Sequence, residues 1–151
     1  MRNRNSYNMA VRNRLLIVFI TIFVLSSTYV ATRNIRNRHL NNAEHLAERA
    51  NSVVATVAST DWVWSVRTNL LSNSEKAQWT KFFKESTPLL LERKSVESKR
   101  FVFLRSDGAA LFSLHIMKPP LIVVRIGDCA YEFECIGWVV NDDGPVKKET
   151  R

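Results

Sequence analysis

The chain has 151 residues and a formal net charge of +8, with 46% hydrophobic residues. This length provides one small domain with its own core and excludes a larger multidomain architecture. The basic residues are concentrated on both sides of one apolar segment, whereas the sequence from residue 51 onward holds 14 Lys and Arg against 12 acidic residues. A nucleic-acid-binding domain would carry its positive charge on the folded part, so direct nucleic-acid binding is not expected.

The N-terminal 32 residues predict a tail followed by a membrane anchor. Residues 1–14 are rich in Asn and Arg without apolar periodicity, which is typical of a disordered cytoplasmic tail. Residues 15–32 carry no charge, and as a helix they would rise roughly 27 Å, close to the hydrocarbon thickness of a bilayer. A buried core helix would show a polar stripe, and a secretory signal would end in a small-x-small cleavage site, which Tyr29-Val30-Ala31 matches poorly. An uncleaved transmembrane helix is therefore favoured over both alternatives.

The arginines around residues 15–32 predict the orientation. Four arginines precede the segment and three follow it, and the N-terminal side also carries the free amino group. Positive charge favours the cytoplasmic side, so we expect the N-terminus inside and the C-terminal domain in the periplasm, with the helix in a bacterial inner membrane. A disulfide between the two late cysteines would point the same way, because it requires an oxidising compartment.

Residues 33–58 are predicted to continue as a juxtamembrane helix with a narrow stripe of small apolar residues on one face. The stripe comprises Ala43, Leu46, Ala47, Ala50, Val53 and Val54. Small side chains allow close packing against a second helix, so these residues are the predicted partner-binding face. Packing of the same face on the chain's own domain is an equally good explanation.

Residues 59–140 predict a small α+β domain, and residues 141–151 a polar tail. A strand is expected over residues 61–67, and Ser72 with Glu75 matches a capping box before a helix that carries Trp79, Phe82 and Phe83. Asp107-Gly108 indicates a hairpin, residues 121–126 a buried strand, and residues 129–140 a last strand segment. Together these patterns predict one helix and an antiparallel sheet of about four to five strands.

The two cysteines, Cys129 and Cys135, are predicted to form a disulfide, because an exported domain folds in an oxidising compartment. On one straight strand they would lie roughly 20 Å apart, too far for a bond. A bond therefore requires residues 130–134 to turn, as in a hairpin of residues 121–128 against residues 136–141. The alternative is two buried free thiols that pack as small apolar groups.

No local motif predicts an enzyme. The three histidines, His39, His45 and His115, have no zinc-ligand spacing, and there is no nucleophile elbow, phosphate loop or paired-carboxylate motif. We therefore expect no catalytic residue, no metal site and no cofactor.

Two resemblances bear on function. The arrangement of a short tail, one anchor and a domain of about a hundred residues with two late cysteines resembles the small membrane partners of ToxR-type virulence regulators. Such a resemblance implies a subunit that stabilises or completes the periplasmic domain of the regulator, and that can take up a small apolar ligand. Residues 94–98 and 129–136 are similar to stretches of the T-even phage lysis-inhibition antiholin, although that family is mainly helical.

The predicted function is thus that of a non-enzymatic regulatory protein of the membrane, whose periplasmic domain binds a membrane-anchored partner protein. Two alternatives remain at this stage. One is an antiholin-like regulator of lysis that binds a holin. The other is a stand-alone sensor of PAS or Cache type, because residues 101–114 resemble the central hairpin of those domains.

Overall fold

The computed structural model describes residues 4–58, 64–90, 97–117 and 120–148. The chain falls into two compact units, which divide between Asn34 and Ile35. The predicted strand over residues 61–67 lies partly outside the described residues, as do residues 94–96 of the antiholin-like stretch.

The first helix, α1, runs from Arg4 to Arg49 and contributes to both units. In the first unit its apolar side chains are exposed, and the helix is long and apolar enough to cross a membrane, with a mean hydropathy of 2.2 in its most apolar window. Thr21, Thr28 and Thr32 donate their hydroxyls to carbonyl oxygens four residues earlier, at 2.8–2.9 Å. Their polar groups are therefore satisfied within the helix, as an apolar surrounding requires.

The predicted juxtamembrane helix over residues 33–58 ends earlier than expected. Helix α1 stops at Arg49, and Ser52–Ala58 forms the first strand, β1. The sequence Val53-Val54-Ala55-Thr56-Val57 is rich in β-branched residues, whose side chains suit a pleated surface better than a helix. The apolar spacing across residue 50 was compatible with either structure, and pairing with two neighbouring strands decides for the strand.

The second unit is α+β, as predicted, but it holds more strands than expected. After β1 come β2 (Trp64–Leu70), α2 (Asn73–Glu85), β3 (Thr87–Pro88), β4 (Lys99–Leu104), β5 (Ala110–Ile116), β6 (Leu121–Ile126), β7 (Cys129–Glu134), β8 (Trp138–Asn141) and β9 (Gly144–Lys147). Seven strands form an antiparallel sheet in the order β2-β1-β4-β5-β6-β7-β3, and β8 and β9 form a separate hairpin. Four strands are additional: β1 comes from residues expected in the helix, β3 follows α2, β8 results from a break in the last predicted segment, and β9 lies in the expected polar tail.

Helix α2 begins as its sequence predicts. The Ser72 hydroxyl accepts from the Glu75 N–H at 3.3 Å, and the Glu75 carboxylate accepts from the Ser72 N–H at 2.8 Å, which completes a capping box. Trp79, Phe82 and Phe83 are buried. This helix therefore contributes three large aromatic residues to the core.

The core lies on one face of the seven-stranded sheet. It is formed by the second half of α1, by α2 and by alternate residues of the strands. The buried residues include Leu40, Ala43, Ala47, Trp79, Phe82, Phe83, Phe101, Phe103, Phe112, Leu114, Ile122, Val124 and Phe133.

Since side chains alternate along a strand, the strand residues between the buried ones point to the opposite face of the sheet, which we call the outer face. Arg100 and Val102 of β4, Ser113 and His115 of β5, and Arg125 of β6 lie there.

The predicted disulfide is wrong, because Cys129 and Cys135 are both free. Cys129 opens β7 and Cys135 follows its last residue, so residues 130–134 are extended and hold the two thiols roughly 20 Å apart. The hairpin partner of β6 is β7, and not residues 136–141 as a bond would have required. The turn between them uses Gly127, at a φ of 56° that favours glycine.

Candidate functional site

The predicted partner-binding face does not form an open surface. Ala43, Ala47, Ala50 and Val53 are buried in the core of the second unit, and Leu46 packs against that core. Val54 is half-buried, and it is directed opposite to its neighbour Val53. The structure therefore follows the alternative explanation, in which this stripe packs on the chain's own domain.

The cysteines do not form a reactive site together. Cys135 is buried and donates its thiol to the carbonyl oxygen of Pro120 at 3.0 Å. Burial raises the pKa of the Cys135 thiol to about 11, so the thiolate is scarce at neutral pH. Cys129 is exposed at the other end of β7.

The three histidines lie in three different environments. His39 is buried, His45 is exposed, and His115 lies on the outer face of the sheet. Within the residues that the structure describes, no group of His, Cys, Asp and Glu could hold a metal ion.

A chain of hydrogen bonds on the outer face links a serine, a histidine and a glutamate. The Ser113 hydroxyl lies 3.0 Å from Nε2 of His115, and Nδ1 of the same ring lies 3.1 Å from Oε2 of Glu97. Ser113 and His115 belong to β5 and are two residues apart, which places both side chains on one face. Glu97 precedes β4, the neighbouring strand. We call Ser113, His115 and Glu97 the outer-face triad.

Arg100 holds the carboxylate of the triad in place. Its Nε and Nη2 donate to the two oxygens of Glu97 at 2.9 and 3.1 Å. Burial raises the pKa of Glu97, but the hydrogen bonds from Arg100 and His115 outweigh this effect, and the pKa lies below its ordinary value. Glu97 is therefore an anion at neutral pH, with both oxygens oriented.

The triad opens onto a shallow depression of about 490 Å³. Val102, Leu111 and Phe112 supply apolar parts of its lining, and Arg125 lies at its border. Arg125 is paired with Ser113 across β5 and β6, so their Cβ atoms lie about 4.5–5.5 Å apart.

Beside the triad, the register of β4 and β5 shifts at Phe103 and Leu104, which leaves Leu111 as an extra residue. Such bulges are common next to functional sites, because they redirect nearby side chains.

No local sequence pattern predicts this site. A Ser-x-His sequence in a predicted strand indicates that two side chains share a face, but it does not identify their partner. Glu97 is 18 residues away from His115 along the chain, and only the pairing of β4 with β5 brings it close.

A second polar cluster lies inside the second unit, where α1 packs on β6 and β7. The buried His39 lies with Nε2 at 3.0 Å from the carbonyl oxygen of Val124, and its ring packs edge-on against Tyr131 at 4.9 Å. The guanidinium of Arg36 lies 5.6 Å from the centre of the Tyr131 ring. Its Nε and Nη1 are buried and have no hydrogen-bond partner among the described residues. This cluster has the composition of a packing site with a cation–π contact.

No protein-family model matches the chain, and no curated protein or solved structure matches it either. The function is therefore inferred from the geometry of the chain itself.

Proposed function

We propose that this chain is a single-pass inner-membrane protein whose periplasmic domain binds a second membrane-anchored protein by adding a strand to its sheet. The partner we expect is a regulatory protein of the same membrane, as the ToxR-type resemblance implies. The observation that carries this proposal is the open edge of the sheet at β2.

The two edges of the seven-stranded sheet differ. At one end, β3 has only two residues, and one of them is Pro88, which has no N–H to offer. At the other end, β2 has seven residues without Pro or Gly. Among the residues that the structure describes, β2 pairs with β1 alone. Proteins usually shorten or block such an edge, so a long open one favours pairing with another chain.

The register identifies the backbone groups that are available. The N–H of Leu71 donates to the carbonyl oxygen of Asn51 at 2.9 Å, so Leu71 is directed toward the β1 side. Backbone groups of successive residues point to opposite edges of a strand, so those of Leu70 and Thr68 point away from β1. Both residues are exposed, and Leu70 keeps 83% of its surface accessible. An incoming strand would bond to Thr68 and cover the apolar side chain of Leu70.

Anchoring of both proteins in the same membrane makes a modest interface sufficient for binding. Two proteins that are confined to one membrane meet at a high effective concentration, so a few backbone hydrogen bonds and one covered apolar residue can hold them together. The predicted orientation of α1 supports a periplasmic location for this contact.

The test uses Thr68→Pro in the full-length protein, with Thr68→Ala as the matched control. Proline removes the outward N–H at this position and leaves the bonds between β2 and β1 in place. We expect Thr68→Pro to lose co-purification of the partner from mild detergent, whereas Thr68→Ala retains it. Circular dichroism should show the same thermal transition for both variants.

A photocrosslinking amino acid at position 70, in place of Leu70, identifies the partner. The control carries the same amino acid in place of Ile136, which keeps 71% of its surface accessible. We expect a membrane protein to be captured from Leu70 and not from Ile136. Capture of a holin would favour the lysis alternative, and a phage lysis cassette next to the gene of this chain would support the same alternative. Equal capture at both positions, or partner binding that survives Thr68→Pro, would contradict the proposal.

A further inference from the structure

We propose that the outer-face triad is an acyl-transfer site that hydrolyses small neutral carboxylic esters, with Ser113 as nucleophile and His115 as general base. This inference is independent of the function proposed above, because the triad lies on the face of the sheet and the partner contact lies at its edge. It also reverses the expectation from local motifs that the chain carries no catalytic residues.

The hydrogen-bond partners determine the tautomer of His115. Glu97 is an anion and can only accept, so Nδ1 of His115 must carry the proton that it donates to Oε2 at 3.1 Å. In the neutral imidazole Nε2 is then an acceptor, and the hydroxyl of Ser113 donates to it at 3.0 Å. This is the arrangement in which a histidine removes the proton of a serine nucleophile while a carboxylate orients the ring.

The surroundings keep this arrangement in place. The side chains of His115 and Glu97 are only 14% and 22% exposed, so water competes weakly for their hydrogen bonds. Glu97 is a positioning residue, since it contacts the ring of His115 and the guanidinium of Arg100. Ser113 lines the depression, where a substrate can reach its hydroxyl.

The class of substrate follows from the lining of the depression. A tetrahedral intermediate on Ser113 places a negative oxygen next to the nucleophile, and the guanidinium of Arg125 on the neighbouring strand can stabilise it. The apolar side chains of Val102 and Leu111 suit a short acyl or alkyl group. A shallow depression of about 490 Å³ excludes deep enclosure of a long chain.

The reaction balances without any cofactor. Oγ of Ser113 attacks the carbonyl carbon while its proton passes to Nε2 of His115. The bond from that carbon to the alcohol oxygen then breaks, and His115 returns the proton to the leaving alcohol. Water attacks the acyl-serine and gives one proton to His115, the bond from the acyl carbon to Oγ breaks, and the proton returns to Ser113 as the carboxylic acid leaves.

The first experiment treats the full-length protein in detergent micelles with a fluorophosphonate probe and locates the adduct by peptide mass spectrometry. We expect one adduct, on Ser113, which is absent in Ser113→Ala. Ser98→Ala is the matched control, because Ser98 is an exposed serine that donates to the carbonyl oxygen of Ile116 and lies outside the triad. It should leave the labelling of Ser113 unchanged.

The second experiment measures hydrolysis of p-nitrophenyl acetate by His115→Gln and Glu97→Gln, with thermal unfolding as the check on folding. Loss of the base should lower the rate by about 10²-fold. Glu97→Gln should lower kcat and leave KM unchanged, because the carboxylate orients the ring of His115 and does not contact the substrate. A merely structural carboxylate would leave kcat of the folded variant unchanged.

Labelling of the half-buried Ser113 that is no faster than that of exposed serines would overturn the proposal. Folded His115→Gln protein that retains the wild-type rate would overturn it as well. Either result would leave Ser113, His115 and Glu97 as a hydrogen-bond network that stabilises the pairing of β4 and β5.

Discussion

At the scale of single residues, the buried His39 links the stability of the second unit to pH. Burial lowers the pKa of His39 below its ordinary value of 6.5, and the hydrogen bond to the Val124 carbonyl raises it only in part. The unfolded chain therefore binds more protons than the folded one in the window between the lowered pKa and 6.5. The stabilising contribution is complete above pH 6.5 and is lost as the pH falls through the folded pKa.

We predict that the free energy of unfolding of the full-length protein in detergent decreases as the pH falls from about 7 to about 5, which is the range in which a histidine titrates. In His39→Gln this decrease should be smaller, because the amide can still donate to Val124 and takes up no proton. Thermal unfolding followed by tryptophan fluorescence at several pH values measures the difference between the two proteins. Equal pH dependence of both would show that other groups cause the loss.

At the scale of elements, the second half of α1 belongs to the core of the domain. Ala43, Ala47 and Ala50 have no exposed surface, and their small side chains let the helix lie close to the sheet. The sequence alone was also compatible with a helix that offers these alanines to a partner. The two roles predict opposite results for a charge at the same position.

We predict that Ala47→Glu unfolds or strongly destabilises the domain, by about 3 kcal/mol or more, because it buries an unpaired charge. Asn42→Glu adds the same charge to an exposed position of the same helix and should change stability by less than about 0.5 kcal/mol. Chemical denaturation of both variants in detergent tests this. A fully folded Ala47→Glu protein would place these alanines outside the core.

At the scale of the whole molecule, the orientation of the helix determines which compartment holds the domain. The numbers of arginines on the two sides of residues 15–32 differ by one, so the bias toward a cytoplasmic N-terminus is small. With both cysteines free, a disulfide no longer supports export, and the charge bias is the remaining argument.

We predict that a phosphatase reporter fused after Arg151 is active, since this enzyme requires export from the cytoplasm to form its disulfides. Replacing Arg12 and Arg14 by Glu should decrease this activity, because it removes half of the arginines on the N-terminal side. Activity only from a reporter that functions in the cytoplasm would indicate the opposite orientation. The proposed partner contact would then lie in the cytoplasm.

Local patterns in the sequence determined several elements without any tertiary information. An uncharged run of eighteen residues predicts the apolar helix, since length and hydropathy alone decide whether a segment can cross a bilayer. Ser72 and Glu75 predict the start of α2, because both partners of a capping box lie within one turn. Asp107-Gly108 predicts the turn between β4 and β5, where Gly108 has a φ of 82°.

The tertiary structure decided what depends on neighbours that are distant in sequence. Residues 52–58 have a spacing that fits helix or strand, and their pairing with both β2 and β4 makes them a strand. Cys129 and Cys135 could be bonded only if β7 were not extended, and its pairing with β6 keeps it extended. Glu97 lies close to His115 because β4 pairs with β5, and among the described strands β2 pairs with β1 alone because of the order of strands in the sheet. Strand pairing joins residues across long stretches of chain, so neither the outer-face triad nor the open edge has a signal within any short stretch of sequence.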